Sequence, residues 1–517
     1  MPTYPAEYDD WIADAVLTAK YHGARWSDGT YSDSSPGPTP LDEVVSYGQY
    51  EPGYGYLRLA QHIGGDSELE GYAKDANDAW RDLYSIAQSG AITGFRHYTD
   101  GLRLDWTENG DTTSRDALIT QATASVFAAA GVMSGEFDIR SEARSREVAY
   151  AVEGYINAEV YAAQSHNART LPYVQLMIGD VDEDVTIGAT TANLDDGGHI
   201  EQWLGDYTTD ANGDYVSGTT NFDSTNFAPF MGAITAHALS RYYDQAASIN
   251  GGITPDARTI DKIERLFDAI WNETWGTANN APDDDSFYYR PDDYDGDGTV
   301  NASDSDDADF STYSVNNMIA FGYWWLYKQT GETRHLTRGD AAFAGSLNCA
   351  SFTYRGVDTS VYLSKEFNEL TRWTIDGLEI RAEGVGSVAF TSKASGNWSS
   401  GGQTTWNEVG VPGDGDTVTI GAGHTITVDV NTTIGDSPST PTDVITANTT
   451  GAITVATGVT FTIKGCVQME DGNFTMNAGS TVEFQVPSTK RYWFRTAKAH
   501  SDTCKIIING TSGSRCA

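Results

Sequence analysis

Apolar residues recur at helical spacing through residues 1–384 and at alternate positions through 385–517. In the first region, residues 54–62 (Tyr-Gly-Tyr-Leu-Arg-Leu-Ala-Gln-His) predict an aromatic-rich helix. An Ile-Gly-Gly-Asp turn follows, then a more polar helix over 68–80. Residues 315–327 and the stretch from Thr333 repeat that plan. Gly64 and Gly331 suit the left-handed position that closes a helix. Asp66 and Thr333 suit the N-cap of the helix that follows. The same periodicity predicts helices over 116–131, 142–165, 228–247 and 257–273. Small-and-aromatic helices alternating with polar ones predict the inner and outer layers of an α-hairpin array.

The texture changes after Glu383-Gly384 to Thr, Val, Gly and Asn with a period of two. Three segments align: Ala422-Gly-His-Thr-Ile-Thr-Val-Asp429, Thr457-Gly-Val-Thr-Phe-Thr-Ile463 and Ala478-Gly-Ser-Thr-Val-Glu-Phe484. The last two lie 21 residues apart, the length of one coil of a parallel β-helix, and the first lies 35 ahead, which predicts an intervening loop. Two domains follow: an α-helical one over 1–384 and a β-solenoid over 385–517. The final strand, from Ile506, has no evident cap, which predicts either a truncated chain or an edge covered by another subunit.

Charge sharpens the boundary. Residues 1–384 carry 62 acids and 24 bases, and residues 385–517 carry 10 and 8. The whole chain has a formal charge of −40, a field that disfavours nucleic acid and anionic membranes as partners. The 49 Asp against 10 Lys suit a protein kept soluble in salt, a halophilic balance. No apolar run is long enough for a membrane span. The first ten residues lack the basic start and apolar stretch of a secretory signal, so none is predicted. Four cysteines, Cys349, Cys466, Cys504 and Cys516, have neither metal-ligand spacing nor the density of a disulfide framework. Buried thiols or one late disulfide both fit.

The sharpest local signal is Asp293-Tyr-Asp295-Gly-Asp297-Gly298-Thr299-Val-Asn301-Ala-Ser-Asp304. A hard cation takes six to eight oxygens, and alternate residues of a tight loop point inward to supply them. Asp293, Asp295, Asp297, Thr299, Asn301 and Asp304 fall at the ligand positions, with Gly298 at the sharp turn, so the loop predicts structural calcium. The final Asp, in place of Glu, resembles dockerin and thrombospondin-type loops. On texture, the helical region resembles the (α/α) toroids of glycoside hydrolases and polysaccharide lyases, without a matched catalytic motif. Asn397-Trp398, Thr405-Trp406 and the Val411–Ile420 segment, with Ile426-Thr-Val-Asp429, look like a G8 domain, from which no enzymatic role follows.

Candidate chemistry rests on acids beside aromatics. Aromatic faces stack on sugar rings, and a glycosidase needs two carboxyls, one of raised pKa. Glu51 lies among Tyr47, Tyr50, Tyr54 and Tyr56, a segment whose glycines predict surface or groove. Asp100 and Asp105 precede Trp106, and Glu201 precedes Trp203. These four acids are the candidate catalytic residues, and Tyr47, Tyr50, Tyr54, Tyr56, Trp106 and Trp203 are the candidate sugar contacts. Trp324 and Trp325 are predicted core. An acidic toroid disfavours polyanionic substrates unless calcium or Arg103 offsets its charge. A helical body joined to a solenoid, an extracellular composition without a signal and an uncapped end together predict a virion appendage, a tail spike or fibre. It would lie on the virion surface or outside the cell, bind surface glycan, contact other virion subunits and form an oligomer, a trimer by analogy. The alternative is a carbohydrate-active enzyme, a glycoside hydrolase or a polysaccharide lyase.

Overall fold

The computed structural model describes, in the helical part, residues 4–5, 7–29, 40–129, 133, 138–164, 167–205, 208–209, 215–216, 228–249, 252–275, 286–287, 315–347, 353–354, 357–358 and 364–384. Beyond it the described residues are 389–399, 405–406, 412, 417–434, 443–447, 451–463, 466–469, 474–485, 494–495 and 505–509. The chain divides into two compact units, Pro5–Arg381 and Ala382–Ala517, the latter with Met1–Tyr4. The calcium-type loop at 293–304 and Cys349, Cys504 and Cys516 lie outside the described residues.

The helical unit runs through α1 (Tyr8–Asp28), α2 (Pro40–Tyr47), α3 (Pro52–His62), α4 (Ser67–Ala79), α5 (Asp100–Asn109) and α6 (Thr112–Ala124). It continues through α7 (Val126–Ala129), α8 (Ser145–Ala162), α9 (Asn167–Ile178), α10 (His199–Leu204), α11 (Pro229–Gln245) and α12 (Thr259–Thr274). It ends with α13 (Asn316–Thr330), α14 (Thr333–Ser346), α15 (Ser364–Thr371) and α16 (Thr374–Gly384). Three antiparallel ribbons punctuate it: β1 (Asp184–Ile187) with β2 (Thr190–Asn193), β3 (Thr208–Thr209) with β4 (Tyr215–Val216), and β5 (Thr353–Tyr354) with β6 (Val357–Asp358).

Helices α3, α5, α8, α11, α13 and α15 each touch the next, and α15 returns to α3, so they close a ring. Outside it, α4, α6, α9, α12 and α14 each lie against the inner helix that precedes them in the chain, and α1 lies against α4 and α15. This is a toroid of α-hairpins. Composition assigns the layers. Every residue of α8 from Val148 to Glu159 is buried, as is α13 from Asn316 to Tyr327, including Trp324 and Trp325. Helix α12 instead buries one stripe, Ile263, Leu266, Phe267 and Ile270, and turns Asp261 and Arg265 outward in an i,i+4 ion pair.

The expected punctuation is largely in place. Gly64 and Gly331 adopt φ of +89° and +74°, and the Gly331 N–H closes α13 on the Tyr327 carbonyl. Asp66 caps α4 by accepting from the Glu68 and Leu69 amides. Thr333 is the first residue of α14 and not its cap. The segment from Tyr47 to Tyr56 is buried apart from the half-buried Gln49, where its glycines predicted surface or groove, and Tyr54 borders a cavity. Those glycines admit neighbours: a Cβ on Gly53 would lie 2.1 Å from Asn77 Oδ1, and one on Gly55 would lie 2.9 Å from Thr371 Oγ1.

The strand-rich unit contains β7 (Ala389–Thr391), β8 (Gly396–Asn397), β9 (Thr417–Ile420), β10 (Thr425–Val428), β11 (Thr432–Ile434), β12 (Asp443–Ala447) and β13 (Ala452–Val455). It continues with β14 (Thr460–Ile463), β15 (Cys466–Met469), β16 (Phe474–Met476), β17 (Thr481–Gln485), β18 (Phe494–Arg495) and β19 (Lys505–Asn509). Three sheets of short parallel strands result, in orders β18-β15-β12-β9-β7, β16-β13-β10-β8 and β11-β14-β17-β19. From β9 to β17 the chain visits the sheets in rotation. Thr460 pairs with Thr481 in register, as the 21-residue spacing requires. The Ala422 segment is a different case: β10 pairs with β13 in another sheet, so its offset reflects a different sheet and not a loop alone. Alternate residues such as Ile426, Val428, Ile453 and Val455 fill the interior with Trp398 and Trp406, whose rings meet edge-on at 5.3 Å.

Candidate functional site

Five of the six ring helices or their ends send charged or polar groups to one buried cluster. Glu51 precedes α3, Asp100 opens α5, Glu153 and Asn157 lie on α8, and His237 and Arg241 lie on α11. Arg372 sits between α15 and α16. From α13, the ring of Phe321 packs against His237 at 4.7 Å.

The backbone ahead of α3 aims the first of these. Tyr50 and Glu51 are both left-handed, with φ of +60° and +63°. Two such non-glycine residues in succession store strain on the order of 1–3 kcal/mol each, which the surrounding structure must hold. Pro52 then starts α3 with its φ already helical. Glu51 Oε1 accepts from the Gly101 amide at 2.7 Å. That approach needs a glycine, since a Cβ there would meet Asn77 Oδ1 at 2.3 Å.

Arg372 is the hub. Its Nη2 lies 3.0 Å from Glu153 Oε2, 3.2 Å from Glu51 Oε2 and 3.5 Å from Asp100 Oδ2. Each pair of carboxylate oxygens is therefore separated by no more than twice that radius. Asp100 Oδ1 also accepts from Arg241 Nη1 at 2.7 Å and Asn157 Nδ2 at 3.0 Å, and Arg103 Nε approaches to 3.4 Å. Glu153 Oε1 meets His237 Nδ1 at 2.5 Å.

These surroundings separate the two acids. Burial pushes the Glu51 carboxyl up to about 7, against the pull of Arg372 and with help from the Asp100 charge. Burial also opposes ionisation of Asp100, but Arg241, Arg103 and Arg372 outweigh it and hold that carboxyl well below the usual carboxylate range. One acid thus carries a proton near neutrality beside another that does not, the arrangement on which acid–base catalysis depends.

A cavity of about 380 Å³ adjoins the cluster, lined in part by Tyr54, Arg58, Arg103, His237, Arg241 and Asp376. Its wall is shared with the cluster, because His237 and Arg241 line it while bonding Glu153 and Asp100. Across it Tyr54 Oη donates to Asp376, which Arg58 Nε also holds at 2.7 Å.

Among the acids singled out in the sequence, the structure brings Glu51 and Asp100 together. Asp105 lies on another face of α5, where it accepts from Ser114 Oγ at 2.5 Å and Asn109 Nδ2 at 2.9 Å. Glu201, on α10, is ion-paired with Lys262 of α12 and takes no part in the cluster. Of the aromatics, Tyr54 lines the cavity. Tyr50 packs near Tyr98, Tyr47 Oη bonds His22 Nδ1 at 2.6 Å, and Tyr56 packs near Phe367. Trp106 Nε1 donates to the Tyr161 carbonyl at 3.3 Å, and Trp203 is wholly buried. Sequence reasoning missed Arg372, Glu153, His237 and Arg241. The last three did leave a signal, as charged or titratable residues inside helices whose neighbours are otherwise small or apolar.

Among the described residues, two further groups have carboxylate or imidazole atoms close enough to hold a metal, Glu264 with Glu332 and His335, and Asp78 with Asp105 and Asp111. An arginine already compensates each: Arg334 reaches Glu264 at 2.6 Å and Glu332 at 2.7 Å, and Arg81 reaches Asp78 at 2.8 Å and Asp111 at 2.9 Å.

No family model matches the chain, and no curated protein sequence matches it. Among solved structures, the chain is similar to unsaturated glucuronyl hydrolases. One specific for heparin is 14% identical with a TM-score of 0.43, covering 72% of this chain and 98% of that one. The enzyme from Streptococcus agalactiae is 14% identical with a TM-score of 0.41, covering 72% and 91%. That from Bacillus sp. GL1 is 11% identical with a TM-score of 0.41, covering 71% and 96%. These neighbours are carbohydrate-active enzymes, and they overturn the expectation of a virion appendage, which is not carried further. At such identities and scores they bring no substrate and no residue role to this chain. The chemistry rests on the site.

Proposed function

We propose that the helical unit is a glycoside hydrolase in which Glu51 is the general acid. The observation that carries this reading is the pair Glu51 and Asp100, both on one nitrogen of Arg372, the first pushed up to about 7 by burial and the second held low by its arginines. Glu51 would give its proton to the glycosidic oxygen as the bond to the anomeric carbon breaks. The ionised Asp100 would face the positive charge that develops there, with water completing the hydrolysis. The adjoining cavity gives a sugar ring a place against Tyr54, while Glu51 and Asp100 are buried beside it, behind the wall that His237 and Arg241 form, and do not line it. Its wall sets Arg58, Arg103 and Arg241 against Glu108, Asp244 and Asp376, so it offers no excess of positive charge and neutral glycans are the first candidate substrates.

The test is a panel of neutral and acidic polysaccharides and oligosaccharides, followed for new reducing ends and for unsaturated product. Reducing ends without unsaturated product are expected from at least one. E51Q, which mimics the protonated acid, should lose about 10²–10⁴ in rate while remaining folded. A folded E51Q that is as active as the parent overturns the assignment.

The strand-rich unit we read as a parallel β-helix, supported by the rotation of its strands through three parallel sheets. Its two-tryptophan segment remains G8-like in pattern, and no activity is assigned to it. For residues 293–304 we propose a structural calcium loop on ligand spacing alone. A chelator should lower the melting temperature by several degrees, and calcium should restore it. A chelator-insensitive melt removes the site.

A further inference from the structure

Buried ion pairs usually match one cation to one anion and satisfy the remaining donors and acceptors. The axis of this ring does otherwise. One Arg372 nitrogen serves three carboxylates, while Nε and Nη1 have no hydrogen-bond partner among the described residues. The guanidinium lies instead over the rings of Tyr98 and Tyr150, each at 5.0 Å, and of Trp373 at 4.8 Å. Aromatic faces hold a cation in place without taking its hydrogen bonds.

The three carboxylates depend on it unequally. Asp100 has Arg241 and Asn157 besides, and Glu153 has His237. Glu51 has one charged neighbour in contact, Arg372, and one backbone amide, that of Gly101. The groups that face the guanidinium from every side are Glu51 ahead of α3, Asp100 on α5, Glu153 on α8, and the phenols of Tyr98 and Tyr150. Helix α11 adds His237 and Arg241 one contact further out, and α13 contributes the uncharged ring of Phe321.

We infer that Arg372 is the positioning residue of this site, holding Glu51 within reach of its two partner carboxylates. The inference deepens the acid–base reading of Glu51 and Asp100 and rests on it for its catalytic consequence. Its physical content can be measured without turnover. In protein carrying ¹³C-carboxyl glutamate, with E51Q to assign the signal, the Glu51 titration midpoint should move upward by about one to three pH units in R372M. R372K keeps a charge but offers one compact ammonium in place of the planar fork, so a smaller upward move is expected. If R372M does not fold, R372K carries the test.

Activity gives the second readout. Glu51 must be protonated to act, so the alkaline limb of the rate profile should rise in step with its titration. kcat should fall about 100-fold in R372K, as a misplacement of order 1 Å produces, with KM little changed. A Glu51 midpoint that stays in place or moves down in folded R372K overturns the inference. The two failures are distinguishable. If the parent cleaves no glycan, the acid–base reading fails while the carboxyl titration still decides Arg372. If the parent cleaves and E51Q does not, an unmoved titration in R372K removes the inference and leaves the reading standing.

Discussion

Arg372 gathers three carboxylates and Arg81 four within the same unit. Arg81 Nη1 lies 2.8 Å from Asp78, 2.9 Å from Asp111 and 3.8 Å from Asp105, and its Nε binds Asp82 at 2.6 Å. Around it every group has ordinary work: Asp111 caps α6, Asp105 takes two side-chain donors, and Asp78 and Asp82 reach solvent. At Arg372 the arginine is wholly buried, its neighbours are aromatic, and the backbone carrying Glu51 is strained. Helix α5 supplies both clusters, Asp100 to one and Asp105 to the other. Five residues turn a helix by about 140°, so the two side chains leave on different faces. An arginine among acids is thus a clip where water and caps complete it, and where burial leaves one acid unmatched that carboxyl is pushed up.

That contrast can be broken most easily at α5. D100N leaves Arg241 and Arg372 short of a buried counter-charge, and should cost about 3–5 kcal/mol in urea unfolding at neutral pH. D105N keeps an acceptor for Ser114 and should cost no more than about 1–2 kcal/mol. Equal costs would mean that the clusters are the same kind of object. The next effect is in pH. Glu51 sits at about 7 against an ordinary 4.5, so folding takes up a proton. Its contribution is fully present below about 4.5 and is lost as pH rises through 7, about 3 kcal/mol in all, of which roughly 2–3 falls between pH 5 and 8. Unfolding free energies of the parent should fall by that much relative to E51Q between pH 5 and 8. A parallel pair of curves would place Glu51 with the ordinary acids. The smallest effect belongs to the clip: R81K retains the charge near partly exposed partners, and its unfolding free energy should drop by about 1 kcal/mol or less.

The sequence carried the hairpin plan well, because layers, caps and periodicity are local properties. Asp66 and Gly331 could be read from a few neighbours, and so could the alternation in β9, β10 and β13. The site was legible only as a list of acids beside aromatics, a signal that Asp100 and Asp105 share. What separates them is the helical phase at which each leaves α5 and what stands opposite, and neither is written nearby. Gly53 and Gly55 misled for a related reason, since a glycine that breaks a helix and one that admits Asn77 or Thr371 look the same in one dimension. Arg372 was out of reach altogether: its partners lie at 51, 100 and 153, in other parts of the chain.

The closing seam of the ring has a consequence in time. Tyr54 and Asp376, bonded where the last inner helices meet the first, are 322 residues apart. At roughly 5–20 residues per second, a ribosome that has released Glu51 needs tens of seconds to deliver Arg372. Through that interval Glu51, Asp100 and Glu153 have no central cation to gather around, and the growing chain has every reason to leave them hydrated. The centre of the ring is therefore the last part to be made. A message cut before codon 372 would yield a helical unit whose three buried carboxylates lack their common cation, a substrate for chaperones and proteases.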